Sequence, residues 1–134
     1  MAKLTELHPR FIRHDVRTET WSVADGDQST WRERGCPVRS VTGPREHLST
    51  VTSLQEAQGI MFQCPLCYQR NGHFIQVTFA DRGVADPYGS QNSEGRPSRW
   101  TVTGTGMEDL TLRPSIWLKN SCGWHGYVTN GVAE

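Results

Sequence analysis

Residues 73–80 read HFIQVTFA, the clearest alternation in the chain. It places His73, Ile75, Val77 and Phe79 on one face and Phe74, Gln76, Thr78 and Ala80 on the other. A period of two marks a half-buried strand, and the first face is the better core face. GIMFQCPLC reads as a strand entering a tight turn, and RWTVTGTG as another strand. LTLRPSIWL is a strand interrupted by Pro114, which suits a sheet edge or the entry to one. GWHGYVTNG supplies a last short strand. Between these lies the polar stretch 81–98, expected to be an exposed, mobile loop.

The first part of the chain is less regular. TETWSVADGDQSTW suggests a hairpin turning at Asp25-Gly26-Asp27. In TSLQEAQG, Ser53 and Glu56 have capping-box spacing and Gly59 can end a helix, so a short helix is expected near 53–58. A length of 134 residues suits a single domain, 1–134. Within it, 1–59 form a polar, irregular or β half and 60–134 a β core.

Composition narrows the partners. Hydrophobic residues are only 35% of the chain, but five tryptophans add buried area. Fourteen basic and fourteen acidic residues cancel, so no basic stripe supports nucleic-acid binding. Local pairs such as Arg10/Arg13 and Arg96/Arg99 keep that class as an alternative. The N-terminus lacks the apolar run of a signal peptide, and no apolar stretch reaches membrane-spanning length. A cytoplasmic, non-secreted protein without a membrane partner is the expectation.

Four cysteines in such a compartment point to metal or redox chemistry before disulfides. Cys64-x-x-Cys67 and Cys122-x-x-His125 form two matched knuckles. Each directs two ligand atoms at one point, and together they offer the four ligands of a tetrahedral structural zinc. The expected fold is therefore mainly β, a small antiparallel two-sheet domain pinned by a zinc-ribbon-like Cys3His site. Redox use of Cys64 and Cys67 is less favoured, because Asn71-Gly72 and a strand follow where a helix would be needed. Cys36, between two arginines, and His73, near the CxxC, are the candidates for an enzyme centre beside the metal. No GxSxG, HExxH or phosphate-binding glycine loop is present, and adjacent Glu108 and Asp109 make a poor acid–base pair. Trp100, Trp117 and Trp124 either seal the core or wall an aromatic pocket.

Cys64-Pro65-Leu66-Cys67, Trp100 to Gly104, Leu110 to Ser115 and Cys122 to Gly131 resemble the signature of a family of small, uncharacterised bacteriophage and prophage proteins. Some members carry an "ammonia monooxygenase" label, which no membrane span or copper-site pattern supports here. The resemblance covers about residues 60–131. In several relatives the histidine directly follows the cysteine, whereas here Gly-Trp separates them. The layout is also similar to the ligand-binding domain of cereblon and to B-type methionine sulfoxide reductases, which set paired knuckles between two antiparallel sheets. The family resemblance implies a zinc-stabilised phage or prophage protein that acts by binding a host or virion protein, in the host cytoplasm or the virion.

Overall fold

A computed structural model describes residues 1–24 and 38–134. The Asp25-Gly26-Asp27 turn, Trp31 and Cys36 lie outside the described residues. The chain is mainly β, as its alternation predicts. The strands are β1 (Ala2–Lys3), β2 (Arg10–Ala24), β3 (Val38–Val51), β4 (Gly59–Gln63), β5 (Phe74–Thr78), β6 (Thr101–Thr103), β7 (Thr111–Trp117), β8 (His125–Thr129) and β9 (Val132–Ala133), with one 3-10 turn at Leu4–Glu6. They form a five-stranded sheet in the order β1-β9-β8-β7-β6 and a four-stranded sheet in the order β3-β2-β4-β5. The β1–β9, β9–β8, β8–β7 and β7–β6 pairings of the first sheet and the β2–β4 and β4–β5 pairings of the second are antiparallel.

The chain divides into two compact units. Met1–His14 and Leu48–Glu134 make the first, and Asp15–His47 the second. The second is an arm of β2 and β3, in which Thr20 and Thr42 share a 2.8 Å hydrogen bond and Arg45 lies 4.8 Å over the Trp21 ring. None of its described residues is fully buried, and exposed positions alternate with half-buried ones, so little apolar alternation is required of the sequence there.

In the first unit one core joins the two sheets. Ile60 and Phe62 of β4, Ile75 and Val77 of β5, Leu112 and Ile116 of β7, and Val128 of β8 are all buried in it. Ile75, Val77 and Phe79 are 5%, 0% and 1% exposed, which is the face the alternation selected. Leu4, Leu7, Phe11 and Leu54 also belong to this core, so it reaches well into the first 59 residues.

Residues 53–58 form a single turn rather than the expected helix. Ser53 and Glu56 do make capping-box contacts, at 2.9 and 3.3 Å. The carbonyls that a second helical turn would use are instead taken by arginines. Arg13 donates to the Glu56 carbonyl at 2.8 Å, and Arg82 to those of Leu54 and Ala57 at 2.9 and 2.6 Å. β4 then starts at Gly59.

Pro114 is likewise not on an edge, since β7 lies between β6 and β8. The register passes from Leu112↔Val128 to Ile116↔Gly126, so Arg113, Pro114 and Ser115 oppose Tyr127 alone. The missing N–H of Pro114 thus falls within a bulge, where no ladder bond needs it. The Arg113–Pro114 peptide is cis.

The 81–98 segment is tied down by its neighbours. The Arg99 guanidinium donates to the carbonyls of Ser90, Ser98, Ala85 and Tyr88 at 2.8–3.2 Å. Arg99 is therefore internal wiring, which removes it from any basic surface patch.

Asp109 organises the loop before β7. Its carboxylate accepts from the Thr105 and Gly106 amides and the Thr105 hydroxyl at 2.8–3.1 Å. The Thr105 amide first, then the Gly106 amide, hold its pKa below the ordinary 3.8. A depressed carboxyl pKa adds stability that is fully present above the unfolded value and is lost as pH falls through the folded one. Asp109→Ala should therefore lower the melting temperature at pH 7, and the gap to the unaltered protein should close toward pH 2. An unchanged gap across that range would assign the loss to packing.

Candidate active site and metal centre

The β4–β5 hairpin assembles three of the four metal-ligand candidates. Gln63 pairs with Phe74, and the ladder continues one step, with the Cys64 amide donating to the His73 carbonyl at 2.9 Å. Cys64 and His73 are thus cross-strand neighbours. The Cys67 and Tyr68 amides fold back on the Cys64 carbonyl at 3.1 and 2.9 Å, which turns the second thiol toward the first. Gly72, at φ +61°, supplies the left-handed position that returns the chain to His73.

The fourth group comes from the other sheet. Between β7 and β8, the Leu118 amide donates to the Trp124 carbonyl at 2.8 Å and the Gly123 amide to the Leu118 carbonyl at 3.0 Å. This tight connection carries Cys122. The ligand atoms of Cys64, Cys67, His73 and Cys122 all lie within 4.8 Å of one another.

The donor set fits a metal ion. Cys64 Sγ and Cys122 Sγ are 3.5 Å apart. A tetrahedron with metal–sulfur bonds of about 2.3 Å has an edge of about 3.8 Å. His73 Nε2 is buried without a hydrogen-bond partner among the described residues, as a ligand nitrogen would be. Burial pushes the Cys64 thiol up to about 11. At Cys122 burial acts the same way, but the Trp124 backbone N–H and the His73, Cys64 and Cys67 side chains outweigh it and bring that thiol down to about 7. One thiolate is thus already favoured in the cluster, and a cation would favour the others.

The histidine in this cluster is His73, where the knuckle spacing selected His125. Matching CxxH to CxxC treats two loops as equivalent. The hairpin register, readable in the Asn71-Gly72 turn, places His73 beside Cys64 instead.

His125 has a different partner. It is the first residue of β8 and pairs with Trp117 of β7, so the two share a face of the sheet. Their rings stack with centroids 5.3 Å apart and planes 23° apart. Ser115, two residues before Trp117, points to the same side, and its Oγ lies 3.0 Å from His125 Nε2. Trp100 fixes this serine from behind, its indole Nε1 donating to the Ser115 carbonyl at 3.3 Å. Sequence reasoning missed Ser115 because it sought a nucleophile in GxSxG and had already given His125 to the metal. The available signal was a serine two residues from a tryptophan on the strand that precedes CGWHGYV.

A cleft of about 770 Å³ opens at Ser115. Trp100 and Trp117 line it, together with Gln76, Ser90, Pro97 and Lys119. Trp124, the third aromatic considered from sequence, packs against the core as a partly buried ring. A hydroxyl in hydrogen-bond contact with an imidazole, at the mouth of a cleft, is the arrangement nucleophilic catalysis requires.

Among the described residues no helix is long and apolar enough to cross a membrane. No curated protein and no solved structure matches the chain significantly. A family model does, over residues 39–134, a span that includes both the metal-ligand cluster and the Ser115–His125 pair. The chain belongs to the family described as bacterial ubiquitination-like system serine protease (BubE).

Proposed function

We propose that this protein is a serine protease of a bacterial ubiquitination-like system, with Ser115 as nucleophile, His125 as general base and a structural zinc at Cys64, Cys67, His73 and Cys122. The observation that carries the proposal is the 3.0 Å contact between Ser115 Oγ and His125 Nε2. The family description agrees with that chemistry. Sequence alone favoured a binding role for a phage protein, or an enzyme built on Cys36 or His73. The serine–histidine pair gives catalysis a specific centre, while His73 belongs to the metal-ligand cluster.

The chemistry follows from the pair. For His125 Nε2 to accept the hydroxyl proton, the neutral ring carries its own proton on Nδ1. Ser115 Oγ attacks the carbonyl carbon of the scissile amide as its proton passes to Nε2. The tetrahedral intermediate collapses, Nε2 gives the proton to the leaving amine, and an acyl ester remains on Ser115. Water then adds to that ester with Nε2 again as base, which releases the acid and restores the hydroxyl. Stacking on Trp117 holds the imidazole plane, and the Trp100 hydrogen bond holds the Ser115 backbone.

Zinc would supply cross-linking rather than activation, since four protein ligands leave no open position. Cys122 precedes His125 by three residues, on the connection between the two strands that carry the pair. Holding Cys122 therefore holds the end of that hairpin.

A fluorophosphonate probe tests the nucleophile. We expect one adduct per chain, on the peptide containing Ser115, and none on Ser115→Ala. An adduct that persists in Ser115→Ala, or no adduct on folded protein, would sink the assignment.

A further inference from the structure

The edge of β5 is unfinished where the cleft begins. Among the described residues β5 ends its sheet, and one side of its backbone has no strand neighbour there. Hydrogen bonds from the Cys64 amide to the His73 carbonyl, and from the Phe79 amide to the Gln58 carbonyl, fix the phase of the ladder. Odd-numbered residues 73–79 thus direct their backbone groups toward β4, and Phe74, Gln76 and Thr78 direct theirs away from it.

The protein covers half of that outward row itself. The Ser90 hydroxyl donates to the Gln76 carbonyl at 2.7 Å and accepts from the Thr78 amide at 3.2 Å. The Trp100 amide donates to the Thr78 carbonyl at 3.0 Å. The Gln76 amide and both backbone groups of Phe74 carry no outward hydrogen bond among the described residues. Unpaired strand edges are templates for another extended chain.

Two features place this edge in service of Ser115. Gln76 and Ser115 line the same cleft. Trp100 joins them, with its backbone on Thr78 and its indole on the Ser115 carbonyl. The cleft wall carries two cations and, among the described residues, no carboxylate. Backbone carbonyls hold the Arg99 guanidinium in place without cancelling its charge, and Lys119 lies 5.4 Å over the Trp117 ring. A basic side chain would meet no counter-ion there and would face both cations.

We infer that the substrate enters as an extended peptide segment without basic side chains that adds a strand to the open edge of β5 beside Ser115. This rests on the serine-protease reading and specifies how that site holds its substrate. Main-chain pairing supplies the grip, and the two cations of the wall turn basic side chains away.

Ser115→Ala protein, labelled with nitrogen-15, can be titrated with a library of N-acetyl heptapeptide amides, one set uncharged and matched sets basic or acidic. Basic peptides should bind at least tenfold more weakly than the other two sets, and amide hydrogen exchange at Gln76 and Phe74 should slow at least tenfold in the complex. Methylating the central backbone nitrogens of the best peptide should weaken its Kd at least tenfold. Binding without slower exchange at Gln76 would overturn the inference, as would equal binding of the basic set or no binding at millimolar peptide. Hydrolysis of p-nitrophenyl acetate by the unaltered protein, absent in Ser115→Ala, separately tests the catalytic pair. Its failure would remove the protease reading whatever the peptides do.

Discussion

Ser115→Ala should lower kcat by about three to six orders of magnitude, and His125→Ala by a comparable factor, because nucleophile and base act as one unit. For the same reason the double variant should be hardly worse than either single one. Ser115 and His125 lie on the outer face of β7 and β8, while Leu112, Ile116 and Val128 on the inner face make the core. Both variants should therefore keep the melting temperature of the parent, so that lost hydrolysis reports chemistry. Turnover of p-nitrophenyl acetate gives the rate, and circular dichroism checks the fold. If His125→Ala kept more than a tenth of the parental rate, the 3.0 Å contact with Ser115 would be structural, and another base would have to be sought.

The contrast between His73 and His125 shows how far the sequence could be read. Strand β5 was legible because burial on one face forces the period of two, and Ile75, Val77 and Phe79 obey it. Cys64 and Cys67 were legible because CxxC is a local geometry, complete within four residues, and Cys122 was reached through the CxxH that mirrors it. The fourth ligand candidate was not, because it depends on register: His73 meets Cys64 only after the hairpin has closed. Ser115 depends on two non-local facts at once, the bulge opposite Tyr127 and the pairing of Trp117 with His125. Arg82 and Arg13 show the same limit, since they claim carbonyls from distant positions and leave residues 53–58 as a turn. Local rules reach as far as local contacts do.

Removing the proposed zinc should be the largest perturbation of stability, and the pattern of loss should separate the two histidines. In the cluster, donor side chains of the β4–β5 hairpin converge with one from the β7–β8 connection. Without an ion to bind both, Cys64 and Cys122 would keep sulfurs 3.5 Å apart with nothing to join them. A ligand that binds only the folded state contributes its binding free energy to folding. Structural zinc is a strong case, because its ligands converge only in the folded chain. A loss of about 4 kcal/mol in a chain of this length lowers the melting temperature by roughly 10–20 °C. Chelation should produce that drop, and His73→Ala and Cys122→Ala should reproduce it, each with less than one zinc per chain by elemental analysis. His125→Ala should keep its full zinc and its melting temperature yet lose hydrolysis. Cys122→Ala should lose hydrolysis even below its lowered melting temperature, because the connection that sets Ser115 against His125 has come free. Retention of zinc by His73→Ala with its loss from His125→Ala would return the metal to the CxxH pair and leave Ser115 without a base. The short stretch CGWHGYV would then be a single knuckle, where the geometry divides it: Cys122 to the metal-ligand cluster and His125 to the serine.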